Sequence, residues 1–321
     1  MKYLVLLAKL FCTGLLLYFV FRGIDFTQTK DILYSHKGLL ILGLGVFIML
    51  VQNMIGGLRL KAIISIFDFK ASSLFGIKLW FIGNFFSQIL ISFVGGDAMR
   101  LVSLVRAGMP YGQSARAIFM DRVLGFVSLQ ILYFISVFYL LYLLNAGTVR
   151  WGIIGLGIIS LVTIVMFFAL GFMPARYHQI RYVGKILDLA AISRYLYAAK
   201  METLYVLLLN CLVHLCNIVA IYVIAVALGA NITFFNAFMI GIPVMYISML
   251  PFSIGGWGLR ENSMIIGFAI LGLSSEIALS VSIIIGIAML IASSPGALVF
   301  WSKNVHSVSN DNMDNDVLAN V

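Results

Sequence analysis

The sequence predicts an all-α, polytopic membrane helix bundle. Of its 321 residues, 62% are hydrophobic and only 10% charged, whereas a soluble domain carries roughly 25% charged residues. Six apolar stretches are each long enough to cross a bilayer, which takes about 20 residues per helix. Two further apolar stretches close on a shared pattern of paired glycines ending in arginine: Gly95-Gly96-Asp97-Ala98-Met99-Arg100 and Gly255-Gly256-Trp257-Gly258-Leu259-Arg260.

The first stretch, Tyr3 to Phe21, contains Lys9 and ends in Arg22-Gly23-Ile24-Asp25 with no small-x-small cleavage site. It is expected to be an uncleaved span rather than a signal peptide. The remaining spans are expected at Gly38 to Ile55, Ile118 to Leu144, Trp151 to Met173, Leu204 to Leu228 and Ile277 to Trp301. Apolar length decides each one, because periodicity carries little information in lipid. Ser294-Pro295-Gly296 is expected to kink the last span. The stretches Ser72 to Val94 and Phe234 to Leu273 are interrupted by the glycine patterns. Irregular backbone at membrane depth survives only inside protein or beside a watery cavity, and breaks at corresponding places in two halves point to the binding site of an inverted repeat.

Basic residues set orientation. Arg176, Arg181, Lys185, Arg194 and Lys200 place the 174–202 segment in the cytoplasm, where its mixture of basic and apolar residues suits an interfacial amphipathic helix. Arg59, Lys61, Lys70 and Lys78 mark another cytoplasmic stretch, as do Arg100, Arg106 and Arg116. The Trp80 stretch then enters and returns on one side, while the Phe234 stretch dips from the other. Two re-entrant hairpins of opposite direction would form an inverted-topology pair. Both termini are expected in the cytoplasm. Residues 302–321, with Asp311, Asp314 and Asp316 among Ser and Asn, read as a disordered acidic tail. The net charge of +9 fits orientation and anionic headgroups better than nucleic acid, since no soluble basic domain is present to carry it. Cys211, His214 and Cys216 lack a fourth neighbour for a metal, and buried thiols with a hydrogen-bonded histidine are the plainer reading; no metal or other cofactor is expected.

A charge at membrane depth costs at least ~2.5–3.5 kcal/mol unless paired or wet. The candidates are Asp97, Arg100, Asp121, Arg122, Arg260 and Glu261. Asp97 and Arg100, three apart, share a helix face. Asp97 suits either an N-cap with a salt bridge or a substrate site. Helices starting after Gly96 and Gly256 would aim their free N–H groups at the protein centre, an arrangement that binds phosphate. Arg100, Arg122 and Arg260 would add bidentate partners, with Asp121 and Glu261 holding the guanidiniums or meeting a cationic part of the substrate. Asp121-Arg122 equally suits a plain anchor for its span. Arg260 and Glu261 point about 100° apart on a helix, so separate partners are expected.

Phe85-Phe86-Ser87-Gln88 leading to Gly95-Gly96-Asp97 and Arg100, then Asp121-Arg122 and Gly125, resembles the first signature of the flippase-like family related to the transmembrane domain of lysylphosphatidylglycerol synthases. Pro251, Gly255-Gly256, Gly258, Arg260-Glu261 and Pro295-Gly296 resemble its second. The likeness runs to about Trp301, although Ile91 stands near where the family often has proline. It implies a bacterial inner-membrane protein that moves a phosphate-bearing lipid or polyprenyl-linked glycolipid between leaflets, without enzymatic chemistry. No aminoacyl-transferring domain follows Trp301, so lysylphosphatidylglycerol synthesis by this chain is not expected. The alternatives are a membrane enzyme modifying a lipid phosphate, with Asp97 and Glu261 as acid and base, and an accessory subunit of glycolipid-pathway enzymes docking through the segment from Arg176 to Lys200.

Overall fold

The computed structural model describes residues 35–89, 93–144, 147–173, 192–249 and 257–301. They form helices α1 (His36–Ile66), α2 (Ser73–Ile89), α3 (Phe93–Arg106), α4 (Tyr111–Leu143), α5 (Thr148–Leu170), α6 (Ile192–Ala198), α7 (Lys200–Ala227), α8 (Phe234–Ser248), α9 (Leu259–Ile270), α10 (Ser275–Ser293) and α11 (Pro295–Trp301). No strand occurs among the described residues. Five of these stretches are long and apolar enough to cross a membrane: α1, α4, α5, α7 and the α10–α11 pair. They correspond to five of the six expected spans; the one at Tyr3 to Phe21 lies outside the described residues, as do 174–191 and the tail.

α1 is longer than its apolar stretch predicts. It runs on past Ile55 through Gly56-Gly57, Arg59 and Lys61 to Ile66, because the apolar pattern resumes at Ala62-Ile63-Ile64 and nothing breaks the helix earlier. Asp68, at φ 57°, belongs to the turn that follows. At its start Ser35 caps the helix, its hydroxyl accepting from the Gly38 N–H at 3.0 Å. The last span is divided where proline demands it. Ser294 closes α10 and Pro295 opens α11, where its missing N–H would be unpaired anyway.

The helices of the two glycine-broken stretches are short: 17 and 14 residues in α2 and α3, 15 and 12 in α8 and α9. None alone spans a bilayer. Each pair packs together, α2 on α3 and α8 on α9, and α1, α4, α7 and α10 surround them. Where α2 meets α3, the contact depends on missing side chains. A Cβ on Gly96 would overlap the Gly83 carbonyl and the Ser87 hydroxyl, and one on Gly83 would overlap the Arg100 guanidinium. Both Gly95 and Gly96 therefore lie inside α3, and Gly96 serves close packing. The sequence expectation of a helix beginning after Gly96 does not hold, since α3 already starts at Phe93.

Two apolar clusters make the core. One joins α1, α4, α7, α8, α9 and α10 around Tyr133, Ile224, Tyr246 and Ile284. The other gathers the far end of α1 with α2, α3, the start of α4 and α6 around Ile63, Trp80 and Leu104. α6, the described end of the basic segment, sits against this second cluster through Ile192 and Leu196, and the Arg194 Nε donates to the Gly171 carbonyl at 3.0 Å.

Candidate functional site

Three arginines and two aspartates from three helices, α1, α3 and α4, converge beside Trp80 of α2. Asp121 on α4 accepts from Arg59 on α1 at 3.0 Å and pairs with it at 2.8 Å, with both side chains nearly inaccessible. The Asn210 side-chain oxygen on α7 accepts a second bond from Arg59. Asp97 on α3 receives Arg100 at 3.0 Å and Arg122 in bidentate fashion, from Nε at 2.8 Å and from Nη2 at 2.6 Å. The guanidiniums of Arg59 and Arg100 lie 4.5 and 4.2 Å from the centre of the Trp80 ring. Such stacking supplies an electrostatic partner that needs no water. Trp80 reaches this position because residue 56 is glycine; a Cβ there would strike the indole.

A chain of side-chain amides extends the cluster. Arg100 donates to Asn84 at 2.8 Å, Asn84 to Asn53 at 2.7 Å, and Asn53 to the Ala292 carbonyl of α10 at 3.1 Å. Arg100 is thus bonded on both sides and only 2% exposed. It holds the site together. Arg122 differs, with 36% of its side chain accessible. It faces a cavity of about 170 Å³ bordered by Gln52, Asn53, Asn84, Ser87 and Gln88.

The second glycine pattern builds a smaller counterpart. Gly255 and Gly256 lie outside the described residues. Gly258 adopts φ 84°, a left-handed conformation that favours glycine, and starts α9. Glu261 is fully buried. Its carboxylate accepts from the Gly258 N–H at 2.6 Å, from Ser282 at 2.9 Å and from Arg260 at 2.8 Å. Arg260 also bonds Ser282 at 3.0 Å and lies 4.9 Å from the centre of the Trp257 ring. It borders a second cavity, of about 180 Å³, between α1, α7, α8 and α10. Gln52 and Met289 line both cavities, so the Arg122 and Arg260 sides adjoin.

Three expectations are altered by this geometry. Asp97 is no N-cap: it is the fifth residue of α3 and its carboxylate is taken by two guanidiniums. Asp121 holds Arg59, which the sequence places in a cytoplasmic stretch, while Arg122 belongs to Asp97. Arg260 and Glu261 bond each other, because the carboxylate turns back to the start of α9 and the long arginine chain follows it. The N-terminus of α9 is therefore filled by the chain's own carboxylate and not open to an external phosphate. Arg59, Trp80, Asn84, Asn53, Asn210, Ser282 and Trp257 are the partners that sequence inspection missed. The legible hint was the apolar run resuming after Lys61, which marks Arg59 as a mid-helix charge. Elsewhere, His214 places its Nε2 3.2 Å from the Gly125 carbonyl, and Cys211 and Cys216 are free thiols.

The class defined by these features is a polytopic membrane protein with a buried arginine–carboxylate site inside its bundle. The profile of the lysylphosphatidylglycerol synthase TM region matches residues 5–295, and the chain belongs to that family. Comparison with curated proteins and with solved structures gives no match.

Proposed function

We propose that the protein translocates a phosphate-bearing lipid between leaflets, holding the headgroup between Arg122 and Arg260 in the adjoining cavities. The observation that carries this function is a guanidinium, Arg122, kept in place by Asp97 yet accessible from a polar cavity inside an apolar bundle. Helix dipoles play little part, since Glu261 occupies the α9 start. Charge supports the same ligand. Arg59, Arg100, Arg122 and Arg260 face Asp97, Asp121 and Glu261, four cations against three anions among the described residues. The one excess positive charge complements a phosphodiester of single negative charge. A bidentate guanidinium–phosphate pair would then form in a site screened from bulk water, where such bonds are strong. Family membership supports a lipid ligand. The two short hairpins supply a device for alternating access, each presenting an arginine over a tryptophan.

Leaflet exchange of fluorescent phosphatidylglycerol, aminoacylated lipid and polyprenyl phosphate in vesicles containing the purified protein tests the proposal. Protein-dependent exchange of at least one of these is expected, and Arg122→Ala or Arg260→Ala in a folded protein lowers it more than tenfold. Exchange that persists at the native rate in both variants, or chemical alteration of the lipid in place of movement, refutes it.

A further inference from the structure

We infer that a groove between α4 and α5 seats a hydrocarbon chain of the lipid whose phosphate meets Arg122; this rests on the function proposed above and adds the route by which the lipid enters. Four observations point to the groove. Its volume is about 310 Å³, within the range of roughly 300–1,000 Å³ typical of ligand pockets. Its walls are apolar side chains, among them Phe126 and Val127 of α4 and Ile164 and Phe167 of α5, and its one charged member is Arg122. Arg122 also borders the polar cavity, so one residue joins an apolar slot to a polar chamber. An anionic headgroup with an attached chain has this same division.

The helix that forms the outer wall is suited to move. Among the described residues α5 packs chiefly on α4, and only 17% of its most apolar window is buried, the least of the five described spans. Further along, the α4–α5 seam closes. Tyr133 donates its hydroxyl to the Ile153 carbonyl at 2.7 Å, and a Cβ on Gly157 would lie 3.0 Å from the Tyr133 ring. Tyr133 follows Arg122 by eleven residues, about 16 Å along the helix. Among the described residues the groove thus runs from Arg122 toward a packed aromatic, a slot of defined length with an open outer side.

The test separates chain from headgroup. Thr163 lines the groove with an exposed side chain, so Thr163→Trp fills the slot without entering the core; Val127→Trp fills it from the opposite wall. Binding of short-chain fluorescent phosphatidylglycerol and of glycerol phosphate is measured with the full chain in detergent. The expected result is at least a tenfold loss of phosphatidylglycerol affinity in both variants with glycerol phosphate binding unchanged, while Arg122→Ala weakens both ligands. If a tryptophan variant does not fold, Thr163→Leu is expected to give a smaller loss confined to the lipid. Native phosphatidylglycerol affinity in the folded variants overturns the groove and leaves the phosphate site standing. So does a parallel loss of both ligands, which would place the effect at Arg122 itself. Failure of the unaltered protein to bind either ligand overturns the phosphate site and the groove together.

Discussion

Asp121 and Arg122 are adjacent in sequence and opposite in task. Asp121 is 3% exposed and closes on Arg59, whereas the Arg122 side chain is partly open to a cavity. Removing one member of a buried pair leaves the other charge uncompensated, at a cost of about 3–5 kcal/mol. Asp121→Leu is therefore expected to lower thermal stability in detergent by an amount of that order, and Arg59→Met added to it to restore most of the loss. Arg122→Ala is expected to leave the melting temperature close to native, because Asp97 keeps Arg100; a melting curve for each variant distinguishes the two roles. The sequence showed that charges were present at Asp97, Asp121, Arg122 and Glu261, yet not how they pair. Pairing depends on which helix faces which. Arg59 lies 62 residues from Asp121 and 151 from Asn210, and no local spacing rule reaches that far.

At the level of the helix, glycine separates two uses that look alike in sequence. Gly95-Gly96 resembled a break because paired glycines destabilise helices, by up to about 1 kcal/mol each relative to alanine. In α3 the need of α2 and α3 to touch outweighs that cost. Gly96→Ala is expected to push α2 from α3 and displace Arg100 from Trp80, read as an altered tryptophan emission spectrum together with reduced stability. Gly258 is the other case. Its φ of 84° makes Gly258→Ala strained by about 1–2 kcal/mol, and loosening the α9 start is expected to raise the exposure of Glu261, measured by hydrogen exchange at residues 258 to 262. The five described spans were legible from apolar length alone. Their ends were not, as α1 shows: eleven residues beyond Ile55 remain helical because tertiary partners neutralise Arg59.

For the whole molecule, electrostatic balance governs what the interior accepts. The described site carries four guanidiniums and three carboxylates, so removing one negative charge doubles the excess. Asp97→Asn is expected to raise affinity for glycerol phosphate while slowing lipid exchange, because a ligand held more tightly leaves more slowly. Equilibrium binding and leaflet exchange, measured on the same preparation, check both halves; a fall in affinity would contradict the charge balance.

Gln52 stands where the two cavities share a wall, and its side-chain oxygen is buried without a hydrogen bond. A carboxamide has an accepting end and a donating end. Half a turn about its terminal bond exchanges them, so the wall can offer oxygen to a cation at one moment and N–H to an anion at the next. No backbone atom need move. The partition between the Arg122 and Arg260 cavities can thereby present either polarity without rebuilding the wall.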